Sequence, residues 1–358
     1  MRILFLPVIQ PNKQSSKSSI NVLLEAYSRI KNHEKTILLD NFGKPLDEKY
    51  VSLLRTFNVL YTKSTGFFNL LRLFITVLRN GRQFDLLYCT GTYPEAAYFT
   101  LMVSKVLSIP FVIRVHHSVG FDMKYHSIIR NKMLKSALKH SFEIIALDNP
   151  ETIISLREYS YKLAKYCIGI NLHEYYQSPK VYDAVFIGSL EERKGIKYLP
   201  TIWAQVLKKL PDHRLLVLGN GSLMEELFTA IKKEGIDGNV IVKGYVSEDE
   251  KRDILAKTKV LVFPSLLEGF GVVIAEAMAS RCVPVIWNLS CFEIFKKGVA
   301  KIKFEDLDKY VKAVISILSD DSFRLKISEE GYEYAKSFSW DKSVELEEAT
   351  LSQLENLN

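Results

Sequence analysis

Val260-Leu261-Val262-Phe263-Pro264-Ser265-Leu266-Leu267-Glu268-Gly269-Phe270-Gly271-Val272-Val273-Ile274-Ala275-Glu276-Ala277 is the stretch that decides the fold. Its first four residues are apolar and stop at Pro264, which reads as a buried strand. From Val272 onward Ala, Ile and Met dominate, which reads as a helix. A strand, a glycine-bearing loop and a helix in that order form the repeating unit of a parallel α/β sheet. Gly269 and Gly271 let the backbone come close to a ligand. The N–H groups of the new helix then face that ligand, which favours phosphate. Glu268 and Glu276 have seven residues between them, one on the loop and one more than a turn into the helix. They are not an i,i+4 surface pair, and this placement lets them touch different parts of one ligand. The alternative is that Glu268 caps the helix while Glu276 pairs with a surface cation.

The same alternation extends in both directions. Ile3–Val8, Thr36–Leu39, Leu86–Cys89, Phe111–Val115 and Ile144–Leu147 read as strands, with helical stretches Ile20–Ile30, Asn69–Leu78 and Glu95–Leu107 between them. Ala184–Ile187, Arg214–Leu218, Val240–Val242 and Val283–Ile286 join Val260–Phe263 in the second half. Two runs of this kind in 358 residues imply an α/β chain of two Rossmann-like domains. The expected division is 1–175, 181–340 and a last helix over 341–358 that packs back toward the first domain. Asn171–Asp183, with Pro179 and few apolar residues, reads as the linker. In such sheets ligands bind outside the carboxyl ends of the strands, so facing domains would share a central cleft.

Composition excludes other classes. Hydrophobic residues make up 47% and charged residues 25%, the balance of a globular domain rather than a disordered or fibrous chain. Cys89, Cys167, Cys282 and Cys291 are scattered with no CxxC, so neither a disulfide framework nor a zinc site is expected. No apolar run reaches the ~18 residues that span a bilayer. Together with a short, polar-turning N-terminus this gives a cytoplasmic expectation, with attachment to the inner membrane face as its variant. The net charge of +7 is unevenly placed. Residues 1–175 hold 23 Lys and Arg against 13 Asp and Glu, and the rest hold 25 against 28.

The quoted stretch resembles the Glu-x7-Glu signature of retaining, nucleotide-sugar-dependent glycosyltransferases of family 4, which have the GT-B fold. Phe186-Ile187-Gly188-Ser189-Leu190-Glu191-Glu192-Arg193-Lys194-Gly195 resembles that family's first donor-domain strand and phosphate loop. Leu218-Gly219-Asn220-Gly221-Ser222 resembles its Gly-x-Gly turn, Gly244-Tyr245-Val246 its nucleobase loop, and Phe338-Ser339-Trp340 the segment before its last helix. The resemblance implies that Glu276 binds ribose hydroxyls and Glu268 hydroxyls of the transferred sugar. It implies that the amides of Phe270, Gly271 and Val272 hold the diphosphate, with Gly188 at the turn beside it. Lys194 would neutralise the departing diphosphate, and the backbone of Val246 would contact the base. Ser189 stands where family members commonly carry Arg, and Arg193 is the candidate to supply that charge. In place of the family's Gly-Gly loop, residues 11–19 read Pro-Asn-Lys-Gln-Ser-Ser-Lys-Ser-Ser.

His116 and His117 end the strand Phe111–Val115. The resemblance assigns a His at this strand end to the transferred sugar, His116 first and His117 second. Residues 123–142 hold five Lys and Arg and no acid before Glu143, with Ile129, Met133, Leu134, Ala137 and Leu138 as an apolar stripe and Lys132, Lys135 and Lys139 beside it. Residues 67–82 form a second apolar stretch flanked by cations. Such segments either lie on an anionic membrane or pack their stripes on the sheet. No aromatic-interleaved basic motif points to nucleic acid. Asp306-Leu307-Asp308 reads as the acidic start of a helix rather than a metal motif.

The implied activity is a metal-independent transfer of a sugar from a nucleotide-diphosphate sugar to a glycan or lipid-linked acceptor, with catalysis by Glu268, His116 and Lys194 and no cofactor beyond the donor. A non-catalytic sugar-nucleotide or polysaccharide-binding protein and a sugar-nucleotide epimerase of the same architecture remain alternatives.

Overall fold

In the computed structural model, which describes residues 1–6, 24–40, 52–62, 69–116, 118–119, 123, 126–166 and 168–355, each apolar run named above forms or begins a parallel strand. Residues 11–19, His117 and Cys167 lie outside the described residues. The chain divides into two units, Met1–Gly169 with Trp340–Asn358, and Ile170–Ser339.

The first unit carries β1 (Arg2–Leu6), β2 (Glu34–Asp40), β3 (Asn58–Thr62), β4 (Leu86–Cys89), β5 (Phe111–Val115), β6 (Glu143–Leu147) and β7 (Leu163–Tyr166). Their order is β3-β2-β1-β4-β5-β6-β7, and the pairings are parallel. The central strands are buried on both faces, which is why they read as continuous apolar runs. The outer strands β3 and β7 were not legible because short, half-exposed segments such as Leu163-Ala164-Lys165-Tyr166 show no such run.

β5 holds one charged residue among its apolar neighbours. The Arg114 guanidinium meets Glu347 Oε2 at 2.7 Å, with side chains only 2% and 1% exposed. Glu347 belongs to the helix Trp340–Glu355, so a buried ion pair fastens that helix to the first sheet. The Tyr88 hydroxyl donates to Glu347 Oε1, and the guanidinium lies 3.8 Å from the Tyr166 ring centroid. Burial opposes the Arg114 charge, but Glu347 and the surrounding Tyr27, Tyr166 and Tyr88 together outweigh it and hold the pKa well above the ordinary arginine value.

The helix Ile128–His140 corrects the reading of its apolar stripe. Leu134, Ala137 and Leu138 are buried against helix Pro94–Leu107, whereas Ile129 is 72% and Ile128 76% exposed. Both isoleucines sit on the first turn, ahead of the part that packs.

The second unit carries β8 (Tyr182–Ile187), β9 (Leu215–Leu218), β10 (Val240–Gly244), β11 (Thr258–Phe263), β12 (Val283–Trp287) and β13 (Ala300–Ile302). Their order is β10-β9-β8-β11-β12-β13, again parallel. The order reverses between β8 and β11, so the loops leaving those two strands flank the position where open sheets bind ligands. Asn171–Asp183, read above as a linker, is tied into this unit and ends inside β8: Glu174 pairs with Arg252 at 2.6 Å and Lys180 Nζ donates to Ala256 O and Ser280 O.

Candidate functional site

The loops leaving β8 and β11 pack backbone against backbone. Gly195 has φ +69°, and a Cβ there would lie 1.9 Å from Pro264 O, so only glycine fits. Leu266 N donates to Arg193 O at 2.8 Å, and Trp287 Nε1 donates to Pro264 O at 3.0 Å. These bonds hold Lys194 from one loop against Glu268 from the other as a mostly buried ion pair. The Ser265 hydroxyl also lies 2.8 Å from Glu268 Oε1, and Lys194 Nζ stands 5.4 Å from the Phe263 ring centroid.

Glu276 sits one element further on, in helix Val272–Ala279, and is 7% exposed. Its Oε1 accepts from Tyr175 Oη and from Lys251 Nζ, each at 2.9 Å. Burial alone would lower the Lys251 pKa; Glu276 and Glu248 outweigh it and raise it, so the ammonium stays charged. Burial, and then the Glu276 charge, push the Tyr175 hydroxyl up, so it remains a donor. The two glutamates therefore belong to separate charge networks. Glu268 does not cap the helix, whose N-cap is Gly271, and the partner of Glu276 is no surface cation.

Gly271 takes φ +82° and opens that helix; its carbonyl accepts from Ile274 N at 2.8 Å, so the N–H groups of Val272 and Val273 are the ones with no helical carbonyl ahead of them. Phe270 is 3% exposed against Phe295 and Phe338, so its ring anchors the loop. On the other side, Gly188 N donates to Leu218 O at 3.0 Å and Gly219 N to Gly244 O at 2.7 Å. A Cβ on Gly219 would lie 1.8 Å from Gly188 O. The ends of β8, β9 and β10 thus meet, with Val246 half-buried beside them. Arg193 is turned to Glu191 at 3.0 Å and is half exposed; its carbonyl, rather than its guanidinium, ties the loops.

In the first unit, His116 Nε2 lies 2.8 Å from Thr90 O and therefore carries the proton, while Nδ1 lies 2.6 Å from Tyr166 Oη and accepts from it. Asp306 caps its helix at Lys309 N. Among the described residues no three His, Cys, Asp or Glu side chains gather as a metal site. Tyr175, Lys251, Ser265 and Tyr166 were missed by sequence reading. Lys251 lies within a run of acids and bases that reads as a solvated helix face, and nothing local distinguishes it.

Residues 174–334 match the model of the glycosyl transferases group 1 family. A glycosyltransferase of Methanocaldococcus jannaschii is 25% identical over 265 residues, 73% of each chain. The poly(glycerol-phosphate) alpha-glucosyltransferase of Bacillus subtilis is 26% identical over 178 residues, 48% of this chain and 26% of that one. The chain thus spans about a quarter of that relative's length. Among solved structures, Anabaena HepE in complex with UDP superposes with a TM-score of 0.80 at 16% identity, covering 99% of this chain and 100% of that one. The two parallel-sheet units have the GT-B fold, and the segment bearing Lys194, Glu268 and Glu276 is a match to the group 1 glycosyl transferases.

Proposed function

We propose that the protein is a retaining glycosyltransferase that moves a sugar from a nucleotide-diphosphate sugar to an acceptor hydroxyl. The observation that carries the reading is the convergence, at the β8/β11 reversal, of Lys194, Glu268 and a glycine-opened helix, with Glu276 one element behind. Glu276 takes ribose hydroxyls and Glu268 hydroxyls of the transferred sugar. The amides of Phe270, Gly271 and Val272 take the diphosphate, with Gly188 and Val246 lining the phosphate and base ends. The bond from the sugar to the diphosphate breaks while the acceptor oxygen bonds the same carbon from the same face. The acceptor proton passes to the departing diphosphate oxygen. Lys194 and the helix N–H groups stabilise the charge that develops there, without a metal step. His116, held by Thr90 O and Tyr166 Oη, is assigned to the transferred sugar on the family resemblance.

The first unit carries 24 Lys and Arg against 17 Asp and Glu, a net of +7, and the second 24 against 24. An anionic glycan or lipid-linked acceptor, met at the cytoplasmic membrane face, fits that balance, as does the acceptor in the name of the Bacillus subtilis relative. Ile128 and Ile129 beside Lys132, Lys135 and Lys139 favour contact with an anionic bilayer.

Calorimetric titration with UDP-, GDP- and ADP-glucose tests the donor site. Lys194→Ala and Glu276→Ala are each expected to weaken the donor that binds roughly tenfold or more while the fold is kept, as loss of a charge-assisted bond requires. Unchanged affinity in both variants would sink the assignment.

A further inference from the structure

Lys251 is a buried cation with no part in the transfer chemistry above. It stands near the start of helix Glu248–Lys257 with 14% of its side chain exposed. Its ammonium meets Glu276 Oε1 at 2.9 Å and Glu248 Oε2 at 2.7 Å. The Tyr175 hydroxyl donates to the same Glu276 oxygen. Among the described residues, Oε2 of Glu276 receives no hydrogen bond.

A carboxylate has about four acceptor positions. Two donors on one oxygen fix both its plane and the identity of the oxygen left over. Without them Glu276 would turn about its last bond and present either oxygen, and ordering it would fall to the ligand. We infer that Lys251, together with Tyr175, is the positioning residue that presents Glu276 Oε2 to the ribose diol, so that this subsite selects ribose over deoxyribose. The inference rests on the donor-site reading above. Gly244–Val246 runs directly into Ser247, whose hydroxyl accepts from Glu250 N at 3.1 Å and caps the Lys251 helix. The base-side turn and the clamp on Glu276 are therefore one continuous segment.

A ligand lacking the hydroxyl leaves a buried acceptor unmatched, which sets a preference of roughly ten- to hundredfold. Binding of UDP, GDP and ADP, each beside its 2′-deoxy counterpart, is measured by calorimetry on the full chain. For whichever nucleotide binds, the ribose form is expected to win by about tenfold or more. In Lys251→Met, and separately in Tyr175→Phe, that ratio should fall toward one through loss of ribonucleotide affinity alone. Lys251→Arg should recover part of it. A purely structural lysine would weaken both forms alike, and that outcome overturns the inference. Tyr175→Phe keeps the lysine pair and removes only the hydroxyl, so an unchanged ratio there also overturns it should Lys251→Met not fold. Wild type that binds a nucleotide without ribose preference overturns the inference alone; wild type that binds none overturns the donor site as well.

Discussion

Lys194 and Glu268 are each other's counterions. In the proposed reading, a diphosphate arriving at Lys194 would have to part it from a carboxylate that the Ser265 hydroxyl still holds. On the proposed donor site a whole donor would answer both groups, its phosphates meeting the lysine and its sugar hydroxyls the glutamate. A bare nucleoside diphosphate answers only one. Glu268→Gln keeps the shape but removes the competing charge. It is expected to tighten a bare diphosphate on the order of tenfold while transfer falls by a similar factor or more. Calorimetry for the first and a radiolabelled-donor assay for the second would check it; a looser diphosphate would show that the pair does not compete. Lys194, Glu268 and Glu276 were legible because their spacing around a strand end is itself the motif. Lys251 and Tyr175 were not, because Tyr175 lies 101 residues from the carboxylate it holds, and only folding brings it there.

Helix Trp340–Glu355 is held by a buried ion pair as well as by its buried apolar face of Val344, Leu351 and Leu354. Taking Arg114 and Glu347 out of water is costly for each, and the pair repays this only while both are present. Glu347→Ala should therefore destabilise the first unit by about 3–5 kcal/mol, with Tyr88 and Arg114 left unmatched. Urea unfolding followed by far-ultraviolet circular dichroism measures this, and a loss below about 1 kcal/mol would mean the pair adds little. The central strands and most helices could be read from apolar periodicity. Arg114 was hidden within Phe-Val-Ile-Arg-Val, a run whose apolar members dominate its reading. β13 was missed because three half-buried residues give no pattern.

At the scale of the whole chain, charge follows the units rather than the sequence halves. The acidic last helix returns to the first unit and brings it from the +11 of residues 1–169 to +7, while the second unit is neutral. Electrostatic capture of anionic partners belongs to the first unit and should be screened by salt. Wild type is expected to pellet with phosphatidylglycerol vesicles at about 0.05 M salt and to be released several-fold by about 0.5 M. A Lys132→Glu, Lys135→Glu, Lys139→Glu variant should stay in the supernatant. Wild type that ignores vesicles at low salt would end the membrane reading.

The Arg114–Glu347 pair also orders events during synthesis. Arg114 leaves the ribosome 233 residues before its counterion. Throughout that interval β5 carries a buried cation without the carboxylate it pairs with in the folded unit. The second unit, continuous from Ile170 to Ser339, has all its strands before Glu347 is made. The later-born unit is thus the first to be able to close, and the N-terminal one waits for the last stretch of chain, inverting the usual order in which domains fold as they emerge.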